Sequence, residues 1–478
     1  MEEISENEGI HSSREFNFLK YLENVVEAET ILYTGKVIAV KGLEVESEGP
    51  RAVIGEMCSI KLRDGSTLLA EVIGLDEKHV KLAPYGETKG IEVGCEVVAS
   101  GHSLMVPVGK NLLGRIIDAS GRPCDEKGEL IPDAYYPAVA SPPAPNDRVD
   151  INRRIVTGVR AIDSLLTVGK GQRLGIFAGS GVGKSTLLSI IARNTNADIN
   201  VIGLIGERGR EVLDFVNRDL GEEGMKRSVL VVATSDEPSI CRLRAAQVCT
   251  AVAEYFRDQG KDVMLMMDSM TRFAHAQREI GLAAGEPPAQ KGYPPSVFDM
   301  IPKLLERSGT NKKGTITAFY TVLVDGDDMN EPITDKVRGT LDGHIVLNRR
   351  LAQAYHYPAI DVLQSISRLS KRVSGAQTRK AVGQLRSWMA TYQENETMIT
   401  AGIYQKGASP TVDLAIDKHE AIEGFLKQEE YEPCPINETL AKLSELTGID
   451  IPEEEYVENP AAAIPTTAQI VDSAKHAD

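Results

Sequence analysis

The stretch Ala178-Gly179-Ser180-Gly181-Val182-Gly183-Lys184-Ser185 decides the fold of this chain. It follows an apolar run at 174–177 and leads into the apolar positions of 187–192, which predicts a strand, a turn and a helix in that order. Glycines within the turn let backbone N–H groups face phosphate oxygens without interference from a Cβ atom. The start of the helix adds a partial positive charge. The stretch therefore predicts a loop that binds nucleotide phosphates.

Side chains at the start of the predicted helix would complete this loop. Lys184 can reach the outer phosphates and Ser185 can bind Mg²⁺ through its hydroxyl, with Thr186 following them in the helix. The usual pattern begins with glycine, where this chain has Ala178. A chance match in an ordinary strand–turn–helix is the alternative, and the surrounding pattern argues against it. We therefore predict that residues 178–186 all contribute to nucleotide binding.

Length and composition restrict the class of protein. A chain of 478 residues is too long for one core, and its 42% hydrophobic and 26% charged residues are typical of a soluble globular protein. No stretch approaches the roughly 18 apolar residues of a membrane span, and the acidic N-terminus lacks signal-peptide character. The six cysteines form no C-x-x-C pair, so we expect neither a disulfide framework nor a zinc site. The net charge of −16 argues against nucleic acid as a partner. We predict a cytoplasmic protein.

The N-terminal part shows two different patterns. Residues 1–28 read as an acidic arm and an amphipathic helix, which begins with the capping-box spacing of Ser12 and Glu15. That helix either packs on its own domain or docks a partner. From 29 to 100, short β-rich runs alternate with turn signals such as Asp64-Gly65, which predicts a small β-barrel.

The remaining chain changes pattern twice more. Within 101–375, six nearly continuous apolar strands alternate with helical segments, which predicts an α/β domain with a mostly parallel sheet covered on both faces. Residues 376–458 have helical periodicity, with Ala381, Leu385, Trp388 and Tyr392 on one face. The Ala-, Pro- and Thr-rich residues 459–478 predict a disordered tail.

Two acidic positions follow predicted strands of this sheet. Asp268 ends the run 263–267, about 80 residues after the loop, and could bind Mg²⁺ rather than only cap a helix. Glu207 and Arg208 follow the run 200–205, at the sheet edge where ligands bind in open α/β folds. Glu207 could polarise an attacking water and Arg208 could contact a γ-phosphate. A salt-bridged surface turn is the alternative.

Several longer stretches then resemble one family, the type III protein export ATPases, and resemble its flagellar members most. That family is related to the catalytic subunit of rotary ATP synthases. The stretches that carry the resemblance are 177–185, Ile205-Gly206-Glu207-Arg208-Gly209-Arg210-Glu211-Val212, Asp268-Ser269-Met270-Thr271-Arg272-Phe273-Ala274, Gly292-Tyr293-Pro294-Pro295-Ser296-Val297-Phe298, Asp327-Asp328-Met329-Asn330-Glu331-Pro332 and Tyr357-Pro358-Ala359-Ile360-Asp361.

The resemblance implies the fold and the ligands. It implies a β-barrel, a RecA-like P-loop nucleotide domain and a C-terminal helical domain, assembled as a ring of six with nucleotide at the subunit boundaries. It also implies ATP and Mg²⁺ as cofactors, with Lys184 and Ser185 holding the phosphates and Mg²⁺, and Asp268 holding the metal through water. Ala178 is normal in this family.

The resemblance also implies roles for five further residues. Glu207 is the catalytic carboxylate, with Arg208 beside the γ-phosphate. Tyr357 and Tyr404 would pack the adenine. Arg368 matches an arginine finger that reaches into the neighbouring subunit's site, and such fingers typically contribute about 10³–10⁵ in rate.

The implied function is ATP hydrolysis in flagellar type III export, with release of substrates from chaperones and their delivery to an export gate at the inner membrane. Implied partners are a stator-like regulator at the N-terminal arm, a central stalk protein, and export chaperones and substrates. A virulence-type secretion ATPase, a non-catalytic ring subunit and an RNA-translocating hexamer remain alternatives. Glu207 argues against a non-catalytic ring subunit, because such subunits lack that carboxylate. The acidic net charge argues against an RNA-translocating hexamer.

Overall fold

The computed structural model describes residues 32–324, 326 and 328–457. The arm and helix predicted for 1–28 and the tail predicted for 459–478 lie outside the described residues, as does Asp327. The described chain consists of a β-barrel, a central sheet flanked by helices, and a C-terminal set of helices. This confirms the predicted fold class, whereas the domain boundaries given above stay predictions.

Six antiparallel strands close into the N-terminal barrel. Alternate side chains of these strands point inward, so Val37, Val45, Ile60, Leu82 and Val97 pack in an apolar core. The strands are β1 (Thr34–Lys41), β2 (Glu44–Glu48), β3 (Glu56–Lys61), β4 (Thr67–Leu75), β5 (His79–Pro84) and β6 (Glu96–Ser103), in the spatial order β1-β2-β5-β4-β3-β6.

A buried ion pair ties the barrel to the central domain. Glu71 of β4 is 1% exposed and accepts hydrogen bonds from Arg244 Nε at 2.7 Å and from the Tyr85 hydroxyl at 3.0 Å. Arg244 belongs to the helix Ser239–Asp258 of the central domain. The barrel is therefore fastened to a helix that packs on the central sheet.

Five short strands follow the barrel. They are β7 (Met105–Val108), β8 (Ile116–Ile117), β9 (Ala134–Pro137), β10 (Arg154–Ile155) and β11 (Val168–Gly169). β7 pairs with β9 and β10 with β11, while β8 forms one edge of the central sheet. Strands of two to four residues are too short to show a periodic pattern, so the sequence did not predict them.

The remaining strands complete the central sheet. They are β12 (Arg173–Ala178), β13 (Ile199–Glu207), β14 (Ser228–Thr234), β15 (Asp262–Asp268), β16 (Gly309–Thr310), β17 (Thr315–Leu323), β18 (Gly343–Leu347) and β19 (Ile360–Ser367). The order is β19-β18-β12-β17-β15-β13-β14-β8, with β16 antiparallel to β17 outside this path. All pairs along the path are parallel except that of β18 with β19.

Helices bury both faces of the central sheet, as predicted. Along β15, Val263, Leu265 and Met267 belong to one apolar core, and Met264 and Met266 to another. The helices of this domain are Arg160–Leu165, Lys184–Asn194, Gly209–Asp214, Gly221–Lys226, Ser239–Asp258, Met270–Ala284, Pro295–Leu305, Pro332–Thr340, Arg349–Gln353 and Ser370–Val373, with a π-helix at Phe215–Leu220.

The C-terminal part contains the helices Ala376–Thr400, Pro410–Leu426 and Ile436–Thr447. Ala381, Leu385 and Trp388 are buried on one face of the first helix and Tyr392 is half-buried, as predicted. Glu455 caps the start of that helix by accepting hydrogen bonds from the backbone N–H of residues 377 and 378. Within the described ranges, no helix combines the length and apolar character of a membrane span.

Candidate active site

The predicted phosphate loop lies at the carboxyl end of β12, where open α/β sheets bind ligands. Gly181 has a φ of 73° and Gly183 a φ of 92°, and these left-handed values require glycine. Val182 between them is buried in the core below and anchors the loop. Gly181 and Ser185 are exposed, and the helix Lys184–Asn194 starts directly behind the loop. The loop is therefore an accessible turn on a fixed base, as phosphate binding requires.

Three charged side chains meet beside this loop. Lys184 Nζ lies 2.5 Å from Asp268 Oδ1 and 3.4 Å from Glu207 Oε1. Asp268 ends β15 and Glu207 ends β13, so adjacent parallel strands deliver both carboxylates to the same sheet edge. Asp268 also accepts a hydrogen bond from the Thr321 hydroxyl of β17 at 2.8 Å. The structure thus brings together three residues that the sequence singled out, and adds Thr321, which it did not.

A β-bulge directs Glu207 into this cluster. The pairing of β13 with β14 shifts its register between Ile205 and Glu207, and Gly206 between them has a φ of 70°. A Cβ atom on Gly206 would lie 2.9 Å from Cβ and Cγ of Arg272. Glycine is therefore required at the bulge, both by its backbone conformation and by the close approach of Arg272. The Nε atom of Arg272 is buried and has no hydrogen-bond partner among the described residues.

The cluster has a distinct electrostatic character. Burial, together with the neighbouring Asp268 carboxylate, raises the pKa of Glu207 to about 7. Burial disfavours the charge of Lys184, but Asp268 and Glu207 outweigh it and raise the pKa of the ammonium group. A carboxyl with a pKa near neutrality can accept a proton efficiently at neutral pH. The site therefore offers a permanent cation for phosphate and a carboxylate suited to general base catalysis.

The donor groups suit a metal ion that arrives with a nucleotide. Mg²⁺ in such sites is usually bound by one or two protein oxygens together with substrate phosphates. Asp268 and Ser185 offer a carboxylate and a hydroxyl beside the loop. Across the described part of the chain, no group of three or more His, Cys, Asp or Glu side chains could hold a metal by itself. The residues present therefore fit Mg²⁺ bound to ATP better than a metal held by the protein alone.

Tyr357 lies against the phosphate loop. A Cβ atom on Gly183 would be 3.5 Å from Cδ1 and Cε1 of the Tyr357 ring, and this side chain is 41% exposed. An aromatic ring with a free face can stack on a nucleobase. Nearby, a cavity of about 370 Å³ opens beside the loop, with Ala178, Gly179 and Arg349 in its wall. The structure therefore places this predicted base-packing residue within reach of a nucleotide on the loop.

The hydroxyl of Tyr404 takes part in a local turn. It lies 3.0 Å from Asp413 Oδ1 and accepts a hydrogen bond from the Ser409 N–H at 3.1 Å, so it braces the turn before the helix Pro410–Leu426. The segment after that helix contacts Tyr357, where the Gln428 N–H donates to the Tyr357 carbonyl at 2.9 Å. No sequence pattern pointed to Gln428.

Arg208 extends into solvent. Its side chain is 82% exposed, and its Nη1 lies 3.7 Å from Glu211 Oε1 one helical turn later. Arg208 follows Glu207 directly, but its guanidinium does not join the Lys184 cluster. An exposed pair of this kind contributes little to stability. The side chain is therefore free to turn toward a ligand or toward a neighbouring molecule.

Arg368 lies at the other end of the sheet from the loop. It follows β19, where Ser367 pairs with Gly343 at the start of β18, whereas Ala178 pairs with Leu347 at the end of β18. Four residues of strand separate these two levels, about 13 Å at roughly 3.3 Å per residue. Arg368 is exposed on this edge of the molecule. It therefore lies away from the chain's own phosphate loop.

Three family models cover most of the chain. Residues 158–367 match the nucleotide-binding domain of the ATP synthase alpha/beta family, and residues 37–101 match the beta-barrel domain of that family. Residues 374–445 match the C-terminal domain of the type III secretion ATPase EscN. The third match distinguishes the chain from the ATP synthase subunits themselves.

Curated relatives agree with that distinction. The chain is 57% identical to the flagellum-specific ATP synthase of Treponema pallidum over 90% of its own length and 97% of the relative's. It is 56% identical to the Bacillus subtilis protein of the same name, over 87% of this chain and 95% of the relative. This chain belongs to the flagellum-specific and type III secretion ATPase family. It is an ATPase of that family, and its P-loop domain binds the nucleotide.

Secretion members of the family are also close. The type 3 secretion system ATPase of Xanthomonas euvesicatoria is 49% identical over 86% of this chain and 94% of the relative. Among solved structures, the assembled ATPase EscN of enteropathogenic E. coli has a TM-score of 0.83 at 45% identity, covering 86% of this chain and 100% of EscN. EscN in complex with its central stalk EscO has a TM-score of 0.81, again at 45% identity and with the same coverage. Over 86% of its length, this chain thus shares its fold with a protein whose assembled form has been solved.

Proposed function

We propose that this ATPase hydrolyses ATP for flagellar type III protein export, in an active site that a neighbouring copy of the chain completes. The observation that carries this proposal is the separation of the charged cluster at the phosphate loop from Arg368 within one chain. Lys184, Asp268 and Glu207 converge beside the phosphate loop, whereas Arg368 is exposed at the other end of the sheet. A ring of identical subunits would bring the two parts together at each boundary.

Each residue of the cluster has a role that follows from its position. Lys184 would neutralise the β- and γ-phosphates, with backbone N–H groups of the loop as additional donors. Glu207 would orient and polarise the attacking water, since its raised pKa suits it to accept a proton. Its contact with Lys184 must be released when phosphate takes the ammonium group. Ser185 and Asp268 would hold Mg²⁺, which when bound neutralises charge on the phosphates.

Arg368 would supply the charge that the isolated chain lacks. An arginine from a neighbouring subunit stabilises the negative charge of the transferring phosphoryl group. Arg208, which lies exposed beside Glu207, would complete the surroundings of the γ-phosphate. Tyr357 would pack the adenine. The assembled state of EscN supports a ring for this chain, and we propose a homohexamer.

The proposed place of action is the cytoplasmic face of the export gate in the inner membrane. There the ring would release export substrates from chaperones and deliver them to the gate. The complex of EscN with its stalk EscO supports a central stalk partner. A stator-like regulator would bind the N-terminal arm. Nucleic acid is not among the proposed partners, in keeping with the net charge of −16.

A virulence-type secretion ATPase is the second candidate, supported by the Xanthomonas relative. The two flagellar relatives at 57% and 56% identity, against 49% for that secretion relative, favour the flagellar role. Deletion of the gene in its host distinguishes the two. Loss of flagella with intact secretion of other substrates would support the flagellar role, and the reverse would support the alternative.

Mixing two inactive variants tests whether the site is shared. Lys184→Ala lacks a phosphate ligand and Arg368→Ala lacks the finger, so each should be inactive alone. In mixed rings, some boundaries combine an intact loop with an intact finger, and part of the ATPase activity should return. Arg372→Ala, which removes another exposed arginine four residues away, is the matched control and should remain active. No recovery in verified mixed rings would contradict a shared site.

A further inference from the structure

The segment that carries Tyr357 is held by the end of a C-terminal helix. His356 directly precedes Tyr357 and is 3% exposed, and its Nδ1 lies 2.7 Å from Glu423 Oε2 on the helix Pro410–Leu426. The Tyr357 carbonyl accepts the hydrogen bond of the Gln428 N–H at 2.9 Å. Two consecutive residues are therefore fastened to one helix and to the turn that follows it.

That turn is itself fixed to the nucleotide domain. The Gln428 side chain is 5% exposed, donates to the Gly158 carbonyl at 2.8 Å and accepts from the Arg160 N–H at 2.9 Å. Arg160 Nη1 donates to the carbonyls of Phe425 and Lys427 at 3.0 and 2.9 Å. Because these polar groups are buried and bonded to one another, the Gln428 N–H has a defined position. The turn can thus act as a rigid support.

A cavity beside His356 makes these contacts important. It has a volume of about 310 Å³ and lies between the C-terminal helices and the start of β19, with His356, Trp388 and Glu423 in its wall. The packed His356 side chain therefore forms part of the wall of this cavity. If the bond to Glu423 were lost, the cavity would leave room for the segment to move.

We propose that Glu423 and Gln428 are positioning residues for the base of ATP. Together they hold the Tyr357 ring beside the phosphate loop, and so set how tightly the base is bound. Neither touches the reacting phosphates. The inference rests on the proposed base-packing role of Tyr357 and extends it to two residues outside the nucleotide domain's motifs.

This role is tested by comparing the binding of a ligand that has a nucleobase with the binding of one that lacks it. Binding of ADP and of pyrophosphate, each with Mg²⁺, is measured by calorimetry on the full chain. Glu423→Ala and Gln428→Ala should weaken ADP binding about five- to tenfold and change pyrophosphate binding by no more than about twofold. Glu423→Gln keeps a hydrogen-bonding group for His356 and should bind ADP like the wild type. Glu420→Ala, an exposed glutamate on the same helix, is the matched control.

The Tyr357→Ala variant distinguishes the positioning role of Glu423 and Gln428 from the base-packing role of Tyr357 on which it rests. It should show the same selective loss of ADP binding, and adding Glu423→Ala to it should cause no further loss. If Tyr357→Ala weakens ADP binding but Glu423→Ala and Gln428→Ala do not, the positioning role is wrong and the role of Tyr357 stands. If Tyr357→Ala has no effect, both are wrong. Equal losses for ADP and pyrophosphate would show general damage to the site and would also overturn the inference.

Discussion

Glu207 is affected both by burial at the end of a strand and by the negative charge of the nearby Asp268 carboxylate. Its pKa of about 7 follows from burial and from Asp268, while Lys184 limits the shift. In a solvated turn the same glutamate would be a weaker base. Its placement in the fold therefore gives it the properties that the proposed chemistry needs.

Replacement of Glu207 by glutamine tests the catalytic role. The amide cannot accept a proton from water, so the ATPase rate should fall by about 10²–10⁴-fold. ATP binding should persist, because Lys184 and the loop remain. Glu222→Gln, on an exposed helix nearby, is the matched control. A steady-state rate near that of the wild type in Glu207→Gln would refute the assignment.

The same substitution should change stability in a pH-dependent way. The pKa of Glu207 is raised from 4.5 to about 7, so the folded state holds this proton more tightly than the unfolded chain does. Glu207 therefore destabilises the fold progressively as pH rises from 4.5 to 7. Glu207→Gln should increase the free energy of unfolding by about 1–3 kcal/mol at pH 8 and by little at pH 5. Urea denaturation without nucleotide measures this, and an equal effect at both pH values would argue against the raised pKa.

Single residues also show what a sequence can predict. Lys184, Asp268 and Glu207 could be singled out because each follows an apolar strand, and parallel strands end at one sheet edge. Gln428 could not, because its partners Gly158 and Arg160 lie 270 and 268 positions away in the chain. Tyr404 was singled out by resemblance alone, and its hydroxyl serves a local turn.

At the scale of elements, the bulge in β13 links the sheet to the chemistry. Without the register shift at Gly206, the regular alternation of side chains along β13 would continue, and the Glu207 side chain would point in a different direction. Apolar runs predicted six strands of the central sheet well, since strands buried on both faces are continuously apolar. β19 was not predicted, because an edge strand with alternating exposure carries polar residues at half of its positions.

Substitution of Gly206 tests the bulge. Gly206→Ala introduces a Cβ atom 2.9 Å from Arg272 at a φ of 70°, which should cost about 1–3 kcal/mol and displace Glu207. The ATPase rate should fall while the loop still binds nucleotide. Gly209→Ala is the matched control, because it lies at the start of a helix and a Cβ atom there would have no neighbour within 4 Å. Thermal melting and rate measurements check both, and unchanged activity in Gly206→Ala would contradict this role of the bulge.

At the scale of the whole molecule, the chain carries both parts of an active site on different sides. The topology explains why the phosphate loop and Arg368 cannot meet within one copy. The loop follows β12 and lies level with the end of β18, whereas Arg368 lies level with the start of β18. The sequence marked both parts as motifs. Their separation became evident only from the strand order and from the antiparallel direction of β19.

The dependence of ATPase rate on protein concentration is the sharpest test of a shared active site. If a neighbouring Arg368 completes each site, the rate per subunit should be low in dilute protein and rise steeply as rings form. Sedimentation of the same samples should show assembly over the same range, and Arg368→Ala should assemble without the rise in rate. A rate per subunit that stays constant down to concentrations where the protein sediments as a monomer would contradict the shared site.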